Sequence, residues 1–260
     1  MIKKMEGMHL MPKPTYRRFL IAALAPLLLF AAYRAADLAH ERLAATHPAA
    51  VAAAKPEPSL RFANERTAAD IAVVVNREHP LPPNYAPDDL TEPDIPFAFD
   101  GAHEKRLLRE PAARAAEQLF DAAKRDGVRL VGVSGYRSFE TQQALFAFNV
   151  RTKGRDHAER YSAVAGASEH QTGLALDVSA RSVGNRLVPA FAATKEGRWL
   201  ADNAYKFGFV IRYPRDKEDI TGYAYEPWHI RYVGRDAALT AYAYDLTLEE
   251  MAEPLPVFSQ

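Results

Sequence analysis

Two short segments concentrate the side chains able to hold a metal ion and move a proton. One is Ser168-Glu169-His170-Gln171-Thr172-Gly173-Leu174-Ala175-Leu176-Asp177, the other Glu226-Pro227-Trp228-His229-Ile230-Arg231. Between them they offer the imidazoles of His170 and His229 and the carboxylates of Asp177 and Glu226. A hydrolytic zinc site needs three protein ligands and one open position for water, and imidazole nitrogen and carboxylate oxygen both suit zinc. A further side chain must accept a proton from that water without filling the metal's open position. Spacing alone leaves the division of labour open. Glu226, three residues before His229, can flank the metal from the same strand as a ligand or stand beside it. Taken singly, each residue also has a plain structural explanation: a loop histidine, a turn-capping aspartate, a solvated glutamate. The setting argues otherwise at Asp177, which ends an apolar run where a buried charge needs a partner. His9, His40, His47, His79, His103 and His157 read as surface or loop residues. The chain contains no cysteine. Thiolate ligands and disulfides are therefore excluded, and any metal must be held by His and carboxylate.

The elements that must position these groups follow from periodicity and punctuation. Lys105 to Arg125 carries Leu108, Ala112, Ala115, Ala116, Leu119 and Phe120 at helical spacing, and Gly127 stops it. Leu130 to Val133 reads as a buried strand leading into Ser134-Gly135-Tyr136-Arg137. Thr141 to Val150 reads as a helix and Leu174 to Val178 as a short strand. Gly197 to Phe207 reads as a helix stopped by Gly208, with strands at 209–211 and 229–233. Ile71 to Val75 is a β-branched run. Asn76 to Asp89, with Pro80, Pro82, Pro83 and Pro87, is an irregular arm wrapped on the domain. The fold class expected is α+β: a small antiparallel or mixed sheet with packed helices and the zinc site in a cleft.

Three separated blocks, in order, resemble the zinc D-alanyl-D-alanine carboxypeptidase family. This group includes the vancomycin-resistance carboxypeptidases and dipeptidases and related L,D-carboxypeptidases. The first segment fits Ser-x-His-x-x-Gly-x-x-x-Asp and the second fits Glu-x-x-His. Ser134-Gly135-Tyr136-Arg137-Ser138 with Gln142 matches a third block. Asn76, Pro80-Leu81-Pro82, Tyr85 to Leu90 and Phe207 to Pro214 also look like family segments, so the likeness covers about residues 70 to 252. The resemblance implies one zinc per chain on His170, Asp177 and His229, with Glu226 as the catalytic base. It implies that Arg137 meets the substrate's carbonyl oxygen or terminal carboxylate, and that Gln142, Ser168 and Trp228 line the substrate pocket. Arg137 could instead pair with a neighbouring carboxylate, and Trp228 could simply pack its strand. Ala165 and Ala167 stand where the family often has proline and threonine. The implied reaction is hydrolysis of the C-terminal D-amino acid from peptidoglycan stem peptides. An L,D-carboxypeptidase or a wall endopeptidase would use the same chemistry. A non-catalytic wall-binding module would be expected to lack a ligand or the base, and all four residues are present.

Formal net charge is zero, which gives no reason to expect a nucleic-acid partner. Lys3, Lys4, Lys13, Arg17 and Arg18 precede an uncharged run from Phe19 to Tyr33, the build of a secretory signal or membrane anchor. The expected organisation is therefore a signal or anchor over 1–33, an Ala/Pro-containing spacer over 34–69 and a catalytic domain over 70–260. The domain is expected to be monomeric and extracytoplasmic, either secreted or tethered to the membrane through an uncleaved N-terminal segment.

Overall fold

The computed structural model describes residues 71–252. The expected signal or anchor, and all of the spacer, lie outside the described residues. Among the described residues no helix is long and apolar enough to cross a membrane.

The centre is a four-stranded antiparallel sheet. Its strands are β3 (Val131–Ser134), β4 (Ala175–Ser179), β5 (Phe209–Tyr213) and β6 (Glu226–Tyr232), in the order β3-β4-β6-β5. A two-stranded hairpin of β1 (Leu90–Thr91) and β2 (Leu108–Arg109) sits apart. The helices are α1 (Glu110–Arg125), α2 (Phe139–Lys153), α3 (Arg155–Tyr161), α4 (Lys195–Asn203), α5 (Glu218–Thr221), α6 (Arg235–Tyr244) and α7 (Leu248–Ala252). This is the α+β arrangement expected, with the sheet wholly antiparallel.

Alternation along the strands divides the sheet into two unlike faces. Leu176 and Val178 of β4, Trp228 and Ile230 of β6 and Phe209 of β5 join one core with Ala112, Ala116, Leu119, Phe120 and Ala123 of α1. The alanines of α1 allow close approach, while burial of Leu119 or Phe120 contributes about 1.5–3 kcal/mol each. The intervening residues Asp177, His229, Arg231 and Arg212 fall on the opposite face, and all four are buried. That face is where the chemistry gathers.

Several expected boundaries move. The first helix begins at Glu110 rather than Lys105: Pro111 sits in its first turn, and the preceding residues form a 3-10 turn (Glu104–Arg106) and then β2. The second helix is longer than Thr141–Val150, because Ser138 caps it by accepting from the Thr141 amide and Gly154 ends it. The expected helix over 197–207 is α4 followed by a separate 3-10 turn (Ala204–Phe207). The β-branched run at 71–75 forms no strand. It belongs instead to the arm, whose Val73, Val75 and Leu81 make a small cluster of their own. Gln171 holds this arm by donating from Nε2 to the Pro82 and Tyr85 carbonyls, both at 3.1 Å.

Candidate metal centre and cleft

Strand register brings the candidate ligands together. Asp177 of β4 and His229 of β6 are direct cross-strand partners, the pairing in which side chains on one face lie closest. His170 arrives from a 3-10 turn (Glu169–Thr172) that ends at Gly173. Gly173 has φ +68, and a Cβ there would come within 2.9 Å of Arg109 and Leu90, so the motif's glycine is required on both counts. His229 Nδ1 is 3.0 Å from Asp177 Oδ1, and His170 Nε2 is 3.3 Å from Asp177 Oδ2. One donor atom from each of the three residues lies within 4.8 Å of the others. A tetrahedral zinc site with ~2.0–2.1 Å bonds places donor atoms about 3.3 Å apart, so the donor set fits in chemistry and in spacing.

The ring nitrogens facing away from this point have different surroundings. His170 Nδ1 is 2.7 Å from the Gly135 carbonyl, which only accepts, so Nδ1 carries the proton and Nε2 faces the ligand position. His229 is turned the other way: Nδ1 faces Asp177, and Nε2 is 3.5 Å from Glu169 Oε2. A carboxylate behind a ligating imidazole fixes its tautomer and raises its basicity. Burial favours the neutral ring of His229, but its hydrogen bond to Asp177 and the nearby Glu169 carboxylate outweigh that and push it up to about 9. Burial and the nearby Arg137 charge push His170 down. Asp177 opposes its own burial through the two imidazoles and is held well below the usual carboxylate range.

Glu169, next to His170, anchors a buried ion network. Its Oε1 accepts from Arg212 Nε and Arg231 Nη1, both at 2.7 Å, and all three side chains are fully buried. Arg212 also pairs with Glu249 of α7, at 2.8 and 2.6 Å, and Arg231 donates to the Ile71 and Val73 carbonyls. Asn76 Nδ2 donates to Glu249 at 3.2 Å and closes the network. The signal for it was available: an arginine inside each of two apolar strands demands a buried partner.

Glu226 stands beside the three candidate donors, with Oε2 3.9 Å from His229 Nδ1. Three residues along a regular strand would turn it to the other face. The β5–β6 register shifts between Ile211↔Ile230 and Tyr213↔Glu226, and such an irregularity re-aims a side chain. Burial pushes its carboxyl up to about 7, with the charges of His229 and Arg137 acting against that rise and Asp177 adding to it.

These groups share a cleft of about 410 Å³, which also takes in Arg137, Ser168 and Trp228. Arg137 donates from Nη1 to Gln142 Oε1 at 2.7 Å and from Nη2 to Ser134 Oγ at 3.0 Å. Among the described residues it makes no ion pair with a carboxylate, and its Nε is buried without a partner. Gln142 is buried and spends its amide on the Ala163 carbonyl, so it reaches the cleft by orienting Arg137 rather than by lining it. Trp228 packs into the core and lines the cleft as well. Tyr213 and Tyr223 also line it, and no sequence signal marked them. His79 and His103 are exposed in irregular segments as expected, whereas His157 is exposed on α3 and borders the cleft. His9, His40 and His47 lie outside the described residues.

Replacing His170 by alanine is expected to remove most bound metal, since it deletes one of three donors. Elemental analysis of the purified variant checks this, and full metal content would remove His170 from the ligand set.

Residues 105–235 match the VanY family, described as D-alanyl-D-alanine carboxypeptidase. The chain is 52% identical to YodJ of Bacillus subtilis (strain 168) over 184 residues, which is 71% of this chain and 67% of YodJ. The solved structure of the LdcB LD-carboxypeptidase is similar with a TM-score of 0.68 and 51% identity, covering 70% of this chain and 86% of that one. A Zn(II) complex of a variant of the vancomycin-resistance D,D-pentapeptidase VanY, from a VanB-type cassette, gives a TM-score of 0.59 and 36% identity. It covers 70% of this chain and 99% of the other. With its motifs on one sheet face and a family match over half its length, the chain belongs to the VanY carboxypeptidase family.

Proposed function

We propose that this chain is a zinc-dependent D-alanyl-D-alanine carboxypeptidase that acts outside the cytoplasmic membrane. It would remove the C-terminal D-amino acid from peptidoglycan stem peptides. The observation that carries this reading is Arg137, a guanidinium with no carboxylate partner among the described residues, in the same cleft as the His170, Asp177 and His229 donor group. When bound, zinc supplies an acidified water and polarises the scissile carbonyl. Glu226 takes the proton from the attacking water and delivers it to the departing amine. Its raised carboxyl suits both steps, because a base works best with a pKa near the working pH. Arg137 holds the substrate's terminal carboxylate or the adjacent carbonyl, oriented by Gln142 and Ser134. Ser168 and Trp228 complete the pocket wall. Export rests on the charged N-terminal flank and the apolar run behind it.

The likeness to LdcB, higher than that to the VanY enzyme, favours a second reading in which the tetrapeptide is the substrate and the cleaved bond is L,D. Mass spectrometry of purified wall peptides separates the two: loss of one D-alanine from pentapeptide supports the first, from tetrapeptide alone the second. Amidating the C-terminal residue of the substrate is expected to lower kcat/KM by about tenfold to a hundredfold, the worth of a charge-assisted hydrogen bond of ~1.5–3 kcal/mol. Arg137→Lys is expected to lose nearly as much as Arg137→Ala, since lysine has no planar fork. Equal rates on acid and amide would point to an endopeptidase.

A further inference from the structure

The cleft continues past the metal centre along one face of α2 and onto α3. Gln142, Leu145, Asn149 and Lys153 recur at spacings of three and four, so they share a helix face. Gln142 touches Arg137 at one end, and Leu145, Asn149 and Lys153 line the cleft beyond it, followed by His157 of α3. The two ends of the cleft differ in charge. The acidic residues lining it, Glu169, Asp177 and Glu226, all lie at the metal end. The far end carries Lys153 and His157. Nearby arginines are committed, Arg155 to Glu159 and Arg160 to Glu218. The Lys153 side chain makes no hydrogen bond or ion pair with any described residue.

We propose that this far end is an anion subsite, in which Lys153, flanked by Asn149 and His157, receives a free carboxylate borne by a stem-peptide residue well upstream of the scissile bond. The inference rests on the carboxypeptidase reading, in which Arg137 holds the chain's end and the rest of the cleft must take the amino side. From residue 142 to residue 153 is about 16 Å along the helix at ~1.5 Å per residue. The lysine's own reach shortens this, leaving a span of roughly three to four extended residues at ~3.3–3.6 Å each. At that distance a wall stem places its glutamate, which is joined through the side-chain carboxyl and so keeps a free α-carboxylate unless it is amidated. The substrate class is therefore a stem peptide with that carboxylate free.

The test uses the full-length zinc-loaded chain carrying Glu226→Gln and two synthetic pentapeptide stems. They differ only in a carboxylate or a carboxamide at that glutamate, and binding is measured by calorimetry at low salt. The free acid is expected to bind about threefold to fivefold more tightly, the worth of one partly exposed ion pair. The difference should shrink as salt rises. Adding Lys153→Glu should reverse the preference, an outcome that general loss of stability does not produce. Equal affinities, or a preference unchanged by Lys153→Glu, would overturn the subsite. Failure of the unmodified enzyme to cleave either stem would overturn the D,D-carboxypeptidase reading alone, because the binding comparison still decides the subsite. Binding of neither stem would overturn both.

Discussion

Glu226→Gln is expected to keep its zinc and lose about two to four orders of magnitude in kcat, the usual worth of a general base. The amide matches the carboxylate in size, and Glu226 stands outside the group of three donors that converge within 4.8 Å. The first coordination sphere is therefore preserved while the proton acceptor is removed. The position beside His229 depends on the strand irregularity, which glutamine does not disturb. Metal content and single-turnover rates on one preparation check the result together. Lost zinc would turn Glu226 into a ligand, the alternative its spacing leaves open, and near-normal turnover with zinc present would move the base elsewhere.

The second large effect is on stability. Glu169→Gln should destabilise the domain by about 3–5 kcal/mol, because it leaves the guanidiniums of Arg212 and Arg231 short of a counter-charge in a fully buried setting. For a domain of this size that lowers Tm by roughly 10 °C. The pH dependence has a definite sign. Burial raises the Glu169 carboxyl, but Arg212 and Arg231 outweigh it and hold the group far below its ordinary value. A depressed carboxyl stabilises the fold fully above its unfolded value of about 4.3 and loses that contribution as pH falls toward the folded value. The gap in unfolding free energy between the two proteins should therefore be full at neutral pH and narrow below about pH 4. A gap independent of pH would mean that the loss comes from packing rather than charge. Metal content should fall as well, since Glu169 stands behind His229.

What the sequence disclosed follows physical lines. His170, Asp177, His229 and Glu226 could be named because they fall in motifs that resemble the carboxypeptidase family's; residue type alone marked only Asp177, which ends an apolar run, and the cross-strand register then brought it opposite His229. The four strands of the central sheet were legible from their apolar runs, whereas β1 and β2, two residues each, were not. Helix α3 was not, since Arg155 to Tyr161 is almost wholly charged or polar and buries only Ala158. Helix α6 buries alanines alone against Val233, Leu248 and Met251, and alanine carries little hydrophobic period. Arg212 and Arg231 inside apolar strands signalled that a buried carboxylate must exist, but Glu169 lies 43 and 62 residues away, a distance at which pattern does not say which carboxylate answers them. The role of Gln142 was read as pocket lining, whereas its contacts are with Arg137 and a backbone carbonyl.

The contact of Asn76 with Glu249 joins the beginning and the end of the described chain, and Arg231 of β6 pins the beginning by donating to the Ile71 and Val73 carbonyls. In connectivity terms the domain is a nearly closed ring, and where it is cut matters less than whether the ring stays shut. A short flexible bridge from the end of α7 back to Ile71, with new termini opened in the exposed loop at Gly101, should give a circular permutant that folds and retains the metal centre. Proximity of the ends and exposure of the cut are what such rearrangements require. Deleting either original end without the bridge would instead expose the paired arginines of the ring's seam.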